Sequence, residues 1–291
     1  MFSIGVRDHS VPELCYPAKR KRDPRMTSQM VLTLSVGALR PLMKRAKKPL
    51  DIFELPTFVN EEMGLRGLNI PSDLLAGRTP KDFERLCDLS DKAHCPFLVL
   101  IETPELNLWN PVNQPAVIDR LRRLASAATR IGCSSVAISL AEVTTQERVD
   151  AVVKTLKLAL AEMDKFEISL LLQSASGMLS DGKALVDVVK KVGGFRIGTM
   201  PSFQHAATNG GVSQELRKLA PYAQSITASV KGFSVDGDHT EWSLDECVET
   251  LRAVGYVNSL SLDYLGKGDP IKPLSMARDM LSAAIEAAEP A

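Results

Sequence analysis

Long apolar runs are missing from this sequence: none approaches the roughly 20 residues that a membrane-spanning helix needs, so the chain is expected to be soluble. Net charge is missing too, since 35 basic residues balance 35 acidic ones. That balance removes any global steering toward nucleic acid or an anionic membrane and makes recognition a local matter. Histidine is scarce, with four residues (His9, His94, His205 and His239) spread along the chain. The five cysteines (Cys15, Cys87, Cys95, Cys133, Cys247) form no CxxC pair, lack zinc-finger spacing and leave one over if the others pair. Free thiols in a reducing cytoplasm are therefore expected. His94 and Cys95 are neighbours whose side chains point in different directions, a poor start for a metal site. No GxGxxG turn follows the first apolar run, which counts against an open doubly wound dinucleotide-binding sheet.

What is present is the composition of an ordinary globular protein, 45% hydrophobic and 24% charged. Residues 1–25 stand apart, with Lys19-Arg20-Lys21-Arg22 and Arg25 among prolines and no apolar periodicity. They read as a basic, flexible arm outside the fold. No apolar core and small-residue cleavage site follow the basic cluster, so it does not read as a signal peptide. Contact with nucleic acid or an acidic partner is the functional alternative to a solvated tail.

From residue 26 onward strands and helices alternate. Apolar, β-branched runs at 30–35, 65–70, 96–101, 134–140, 167–172, 195–200, 225–230 and 259–263 read as strands, the third (PFLVLI) being continuous in the way of a strand buried on both faces. Helices are expected near 42–48, 51–63, 80–93, 115–131, 145–163, 181–192, 212–222, 243 onward and 272–288. Thr79-Pro80 supplies a cap and a first helical residue, and Ser243 with Glu246 has capping-box spacing. Eight strands alternating with helices in one chain of this length predict an α/β fold, a single (β/α)₈ barrel over residues 26–291.

Active sites of such barrels lie where the strands end at their carboxyl side. The candidates there are Asn69, Glu102, Glu142, Gln173, Ser174, Ser202 to His205, Lys231, and Asp263 to Lys267. Asp263, Lys231 and Glu102 are the candidate catalytic groups, a carboxylate as base and a lysine to stabilise an enediolate. Asn69, Trp109, Glu142, Gln173, Ser202, His205, Ser229 and Lys267 are candidate substrate contacts. Trp109 either stacks on a sugar face or packs under its long loop. Gly266-Lys267-Gly268 is placed for phosphate contact or is simply a turn. Asp236-Gly237-Asp238-His239 lacks the distal glutamate of a calcium loop and reads as turn chemistry.

Four segments carry a family resemblance. Gly255-Tyr256-Val257-Asn258-Ser259-Leu260-Ser261-Leu262-Asp263 resembles the GYxGx(I/L)x(I/L)E ending of the xylose isomerase-like barrels, the sugar phosphate isomerase/epimerase superfamily that also contains endonuclease IV. Leu171-Leu172-Gln173-Ser174 falls where those proteins show LLEN, Gly198-Thr199-Met200-Pro201-Ser202-Phe203 looks like a GT-L-PDF variant, and Ala228-Ser229-Val230-Lys231 matches xHxK. The resemblance spans about residues 26–286 and implies carbohydrate isomerase or epimerase ancestry, with a sugar or sugar phosphate as partner. It also implies a divalent cation (manganese, magnesium or zinc) held by two glutamates, an aspartate and a histidine, the glutamates moving a proton at carbon. Here those places hold Gln173, Ser202, Ser229 and Asp263. The sequence therefore predicts a degraded or relocated metal site with no assigned ligands, and leaves open an isomerase, epimerase or lyase, a sugar binder without turnover, or a partner-binding barrel. An endonuclease-like multi-metal cluster is not expected from so few histidines.

Overall fold

The β-branched and leucine-rich segments of the chain form eight parallel strands in a computed structural model that describes residues 30–287 apart from Ser174. The expected arm at 1–25, with His9 and Cys15, lies outside the described residues, as do Ser174 and the last residue of the final helix expected from sequence.

The strands are β1 (Val31–Ser35), β2 (Leu68–Pro71), β3 (Phe97–Ile101), β4 (Ser135–Ile138), β5 (Ser169–Leu172), β6 (Ile197–Thr199), β7 (Ser225–Val230) and β8 (Ser259–Tyr264). They are laddered in the order β6-β5-β4-β3-β2-β1-β8-β7. The curled sheet closes between β6 and β7 by two isolated bridges, Thr199 with Ala223 and Ser202 with Thr227. The single (β/α)₈ barrel expected from the sequence is thus the observed architecture.

Alternation along each strand sorts side chains between two surroundings. Leu34, Leu68, Ile70, Leu100, Val136, Ile138, Leu170, Leu172, Ile226, Val230, Leu260 and Leu262 are buried in the core that also takes the apolar faces of the helices. The opposite positions face the barrel interior. There Val99, Ala137, Leu171 and Met200 make a small separate apolar cluster, while β7, β8 and β1 contribute Ser225, Thr227, Ser229, Ser261, Thr33 and Ser35. Barrel interiors are usually filled by bulky branched residues; half of this one is lined by hydroxyls.

The helix that starts at Pro80 begins as read from the sequence: Thr79 Oγ1 accepts from Asp82 N–H at 3.3 Å and Asp82 Oδ2 accepts from Thr79 N–H at 2.8 Å. Ser243 caps the helix Leu244–Ala253 by accepting from Glu246 N–H at 3.2 Å. Two expectations need correction. The basic stretch expected to be helical over 42–48 is helical only through Arg40–Met43, with Lys44 as its C-cap and Lys48, before Pro49, at φ 51°. The single helix expected over 51–63 is a 3₁₀ turn, Ile52–Glu54, followed by the helix Leu55–Glu61, with Pro56 at its start. A short helix missed in the sequence, Phe203–Thr208, follows β6, capped by Ser202.

Candidate functional site

Asp263 is the next lumen-facing residue above Ser261 on β8, and that alternation delivers its carboxyl to the carboxyl-end mouth of the barrel. The mouth is a cavity of about 460 Å³ whose wall includes Ser35, Arg40, Glu102, Thr103, Ser139, Gln173, Ser202, Gln204, Thr227, Ser229 and Asp263, a size typical of small-molecule sites. Burial pushes the Asp263 carboxyl above its ordinary 3.8, against the pull of a hydrogen bond from Ser35 and of the Tyr264 backbone. Glu102, the other carboxylate of the wall, is 1% exposed and already engaged. Arg120 donates to it through Nε and Nη2, both at 2.8 Å, and Ser72 Oγ donates at 2.6 Å. Arg40 carries the positive charge of the wall and is held by Asp73, to which it donates at 2.9 and 2.7 Å, with Thr103 Oγ1 donating to the same carboxylate at 2.9 Å. The guanidinium holds Asp73 below the usual carboxylate range.

Of the candidates read from sequence, Glu102, Gln173, Ser202, Ser229 and Asp263 come together in this mouth. The others point elsewhere. Asn69 is 0% exposed and lies deeper in the barrel, donating to Ser225 Oγ at 3.5 Å. Lys231 reaches Glu241 at 3.5 Å and is not part of the mouth wall. Trp109 packs under its loop, donating to the Glu142 carbonyl at 3.1 Å with Arg148 over its ring at 3.8 Å, and the Glu142 side chain is exposed. The His205 ring contacts the Ser180 carbonyl at 3.0 Å and Asn209 at 3.2 Å. Lys267 is exposed, and its carbonyl accepts from Tyr264 Oη at 3.0 Å. Gly266 beside it is required by packing, since a Cβ there would collide with the Lys231 carbonyl and the Tyr264 ring. Gln204, inside the candidate segment Ser202 to His205, also lines the mouth, whereas the sequence reading missed Ser35, Arg40, Ser139 and Thr227. Ser35 and Thr227 were legible as lumen-facing residues in strands already identified; Arg40 lies just ahead of the helical stretch expected from 42.

The four positions matched to metal ligands in the resembling barrels do not fit a divalent ion. Such an ion takes several hard oxygen ligands with carboxylate charge to offset its dehydration. Here the set is an amide, two hydroxyls and one carboxyl whose charged form is disfavoured by burial. Gln173 Oε1 already accepts from Ser139 Oγ at 3.1 Å, and Ser202 Oγ accepts from His205 N–H at 3.2 Å. Among the described residues no three of His, Cys, Asp and Glu converge.

The Asp236-Gly237-Asp238 segment is a turn, with Gly237 at φ 94° and Ser234 N–H donating to the Asp238 carbonyl at 2.8 Å. It folds His239 back under β7. Lys231 N–H donates to His239 Nε2 at 3.0 Å, and Nδ1 meets the Trp242 carbonyl at 3.0 Å, so the ring is held neutral with its proton on Nδ1. Burial, the largest cause, lowers its pKa from 6.5. The folded protein then binds fewer protons than the unfolded chain between the lowered value and 6.5, so stability is full above that window and is lost as pH falls through it. A decline in melting temperature below about pH 6.5 that is absent in His239→Gln is expected; equal pH profiles for the two proteins would refute this role.

A larger cavity, about 570 Å³, lies outside the barrel wall between Leu42, Leu50, Phe58, Met63 and Ile271. It shares no lining residue with the mouth, and Arg45 on its rim is paired with Asp269 at 2.6 Å. The four described cysteines, Cys87, Cys95, Cys133 and Cys247, are buried, with burial pushing the Cys95 thiol up to about 12. No described helix is long and apolar enough to cross a membrane.

No protein-family model and no curated protein matches this sequence. Solved structures do match its fold. An L-ribulose 3-epimerase superposes with a TM-score of 0.73 at 13% identity, over 89% of this chain and 95% of that one. A D-psicose 3-epimerase from Clostridium cellulolyticum H10, solved with D-tagatose, gives 0.71 at 14% identity, over 89% and 98%. An AP endonuclease of family 2 from Brucella melitensis gives 0.66 at 13%, over 84% and 96%. The structural neighbours are xylose isomerase-like barrels at low identity, and the likeness is one of fold.

Proposed function

We propose that this barrel takes a small carbohydrate or sugar phosphate into its mouth and moves a proton between adjacent carbons without the metal set of the resembling barrels. The observation that carries the reading is the mouth itself: besides the arginine-paired Glu102 it holds a second desolvated carboxyl, Asp263, in a wall of hydroxyls and amides that matches a polyol. A base whose pKa burial raises above the ordinary 3.8 is better suited to removing a proton from carbon beside a carbonyl. In the proposed step the Asp263 carboxylate removes that proton, the electrons move to the carbonyl oxygen, and the resulting enediolate is stabilised by hydroxyl and amide donors of the wall. The carboxylic acid so formed returns the proton to the former carbonyl carbon on the same face, while the hydroxyl proton of the carbon that lost it passes to the former carbonyl oxygen, so that the carbonyl moves by one carbon. Gln173 cannot titrate, so a second base on the opposite face is lacking there, which favours a one-base 1,2-isomerisation over a two-base epimerisation.

The second reading is a carbohydrate-binding barrel without turnover, favoured by the engagement of Glu102 and Arg40 in their own ion pairs. The two readings separate in deuterated water. Aldoses, ketoses and their phosphates are incubated with the protein with and without chelator and followed by proton NMR. Solvent deuterium appearing at the carbon next to the carbonyl, unaffected by chelator and absent in Asp263→Asn, is the expected result. Saturable binding with no exchange for any sugar would refute the catalytic reading in favour of the binder. The buried cysteines, with neither a CxxC pair nor zinc-finger spacing among them, support a cytoplasmic setting for either.

A further inference from the structure

Beneath the mouth, the barrel interior holds a group of buried oxygens that the proposed chemistry does not use. Thr33 on β1, Asn69 on β2 and Ser261 on β8 are each 0% exposed, and Thr33 Oγ1, Asn69 Oδ1 and Ser261 Oγ have no hydrogen-bond partner among the described residues. All three face the lumen. Asn69 reaches Ser225 on β7, a strand that does not adjoin β2 in the sheet, and only an inward side chain makes that crossing. Ser261 lies between Ser259, whose hydroxyl donates to the same Ser225 at 2.9 Å, and Asp263 of the mouth. Thr33 is the ladder partner of Ser261 and alternates with Ser35 of the mouth. Its Cγ2 lies 3.0 Å from where a Cβ on Gly67 would stand, on the same inner face. β8, β1 and β2 are consecutive in the sheet, so the three oxygens belong to one patch of the inner wall.

A buried oxygen left unpaired carries the full desolvation cost of that group, and three on adjacent strands call for a shared partner. Asn69 Oδ1 only accepts, whereas the two hydroxyls both donate and accept. The complement is a small molecule with two donors and lone pairs. A hard cation would find three neutral oxygens and no carboxylate among them, short of the ligand number such ions take. We propose that Thr33, Asn69 and Ser261 hold a resident water molecule in the barrel lumen, one pleat below Asp263, donating to Asn69 Oδ1 and bridging the two hydroxyls.

Oxygen-17 magnetic relaxation dispersion of the full chain counts long-lived internal waters directly. The double variant Thr33→Val/Ser261→Ala should show one fewer than wild type, and Thr33→Ser, which keeps the hydroxyl, the same number; an unchanged count in the double variant overturns the proposal. Should that variant fail to fold, Thr33→Val alone carries the test through its melting temperature. With the water present the substitution removes one of its partners and lowers the melting temperature, whereas in a dry lumen it relieves an orphan hydroxyl and raises it. Exchanging sodium for potassium or choline at constant ionic strength should leave the melting temperature unmoved; a shift specific to one cation would replace the water by an ion and overturn the assignment.

Discussion

Asp263→Asn should melt at a higher temperature than wild type at neutral pH while losing turnover. Burial raises the folded-state pKa of this carboxyl above 3.8. The folded protein therefore binds more protons than the unfolded chain from 3.8 up to that raised value, and stability is lost as pH rises through it. Asparagine fills the same space, can accept from Ser35 and carries no charge to desolvate. Relief of a functional site of this sort usually adds about 0.5–2 kcal/mol. Loss of a general base typically costs a factor of about 10²–10⁴ in rate. Thermal unfolding at pH 5, 7 and 8 together with deuterium exchange on a sugar substrate checks both halves. The stabilisation should grow with pH up to the raised value and level off above it; a variant that melts lower at every pH would show that the Asp263 carboxylate is structurally required.

Arg120→Ala should be the most damaging substitution near the mouth, costing about 3–5 kcal/mol of stability, the usual result of stranding a buried charge. Glu102 is 1% exposed, and two of the three hydrogen bonds to its carboxylate come from the Arg120 guanidinium. Arg120 itself is 40% exposed and regains water when released. The reverse substitution, Glu102→Gln, should therefore cost less, since it keeps an acceptor for Ser72 and leaves behind a cation that solvates. Combining the two should be markedly less destabilising than their sum, because the amide removes the charge that Arg120→Ala strands. Urea unfolding of the two single variants and the double measures this directly. Additive costs would mean that the two side chains are not energetically coupled.

The same contrast explains what could be read in the sequence. The eight strands and their order were legible because each carries an apolar face toward the helices, and β7 was bounded to the residue. The mouth was legible only as positions along strands: Gln173, Ser202, Ser229 and Asp263 follow from strand ends and alternation. Where a long side chain turns is decided by partners distant in sequence. Glu102 is claimed by Arg120, 18 residues away, and His205 turns to the Ser180 carbonyl, 25 residues away. Nothing local to either residue signals those partners. Lys231 shows the same limit on a short range, since its direction depends on the turn that carries Glu241 back beside it.

The closure between β6 and β7 has a mechanical meaning. A closed tube resists torsion all round its circumference, whereas a tube slit along its length shears easily at the slit. This barrel has seven continuous ladders, and its remaining junction is bridged by backbone bonds such as Gln224 N–H to the Thr199 carbonyl at 3.3 Å and Thr227 N–H to the Pro201 carbonyl at 2.8 Å. Twisting compliance is concentrated on that line, whose lips carry Ser202 on one side and Thr227 and Ser229 on the other. The aperture is softest between its hydroxyl-bearing lips, while Glu102 and its ion pair stand on the stiff wall opposite.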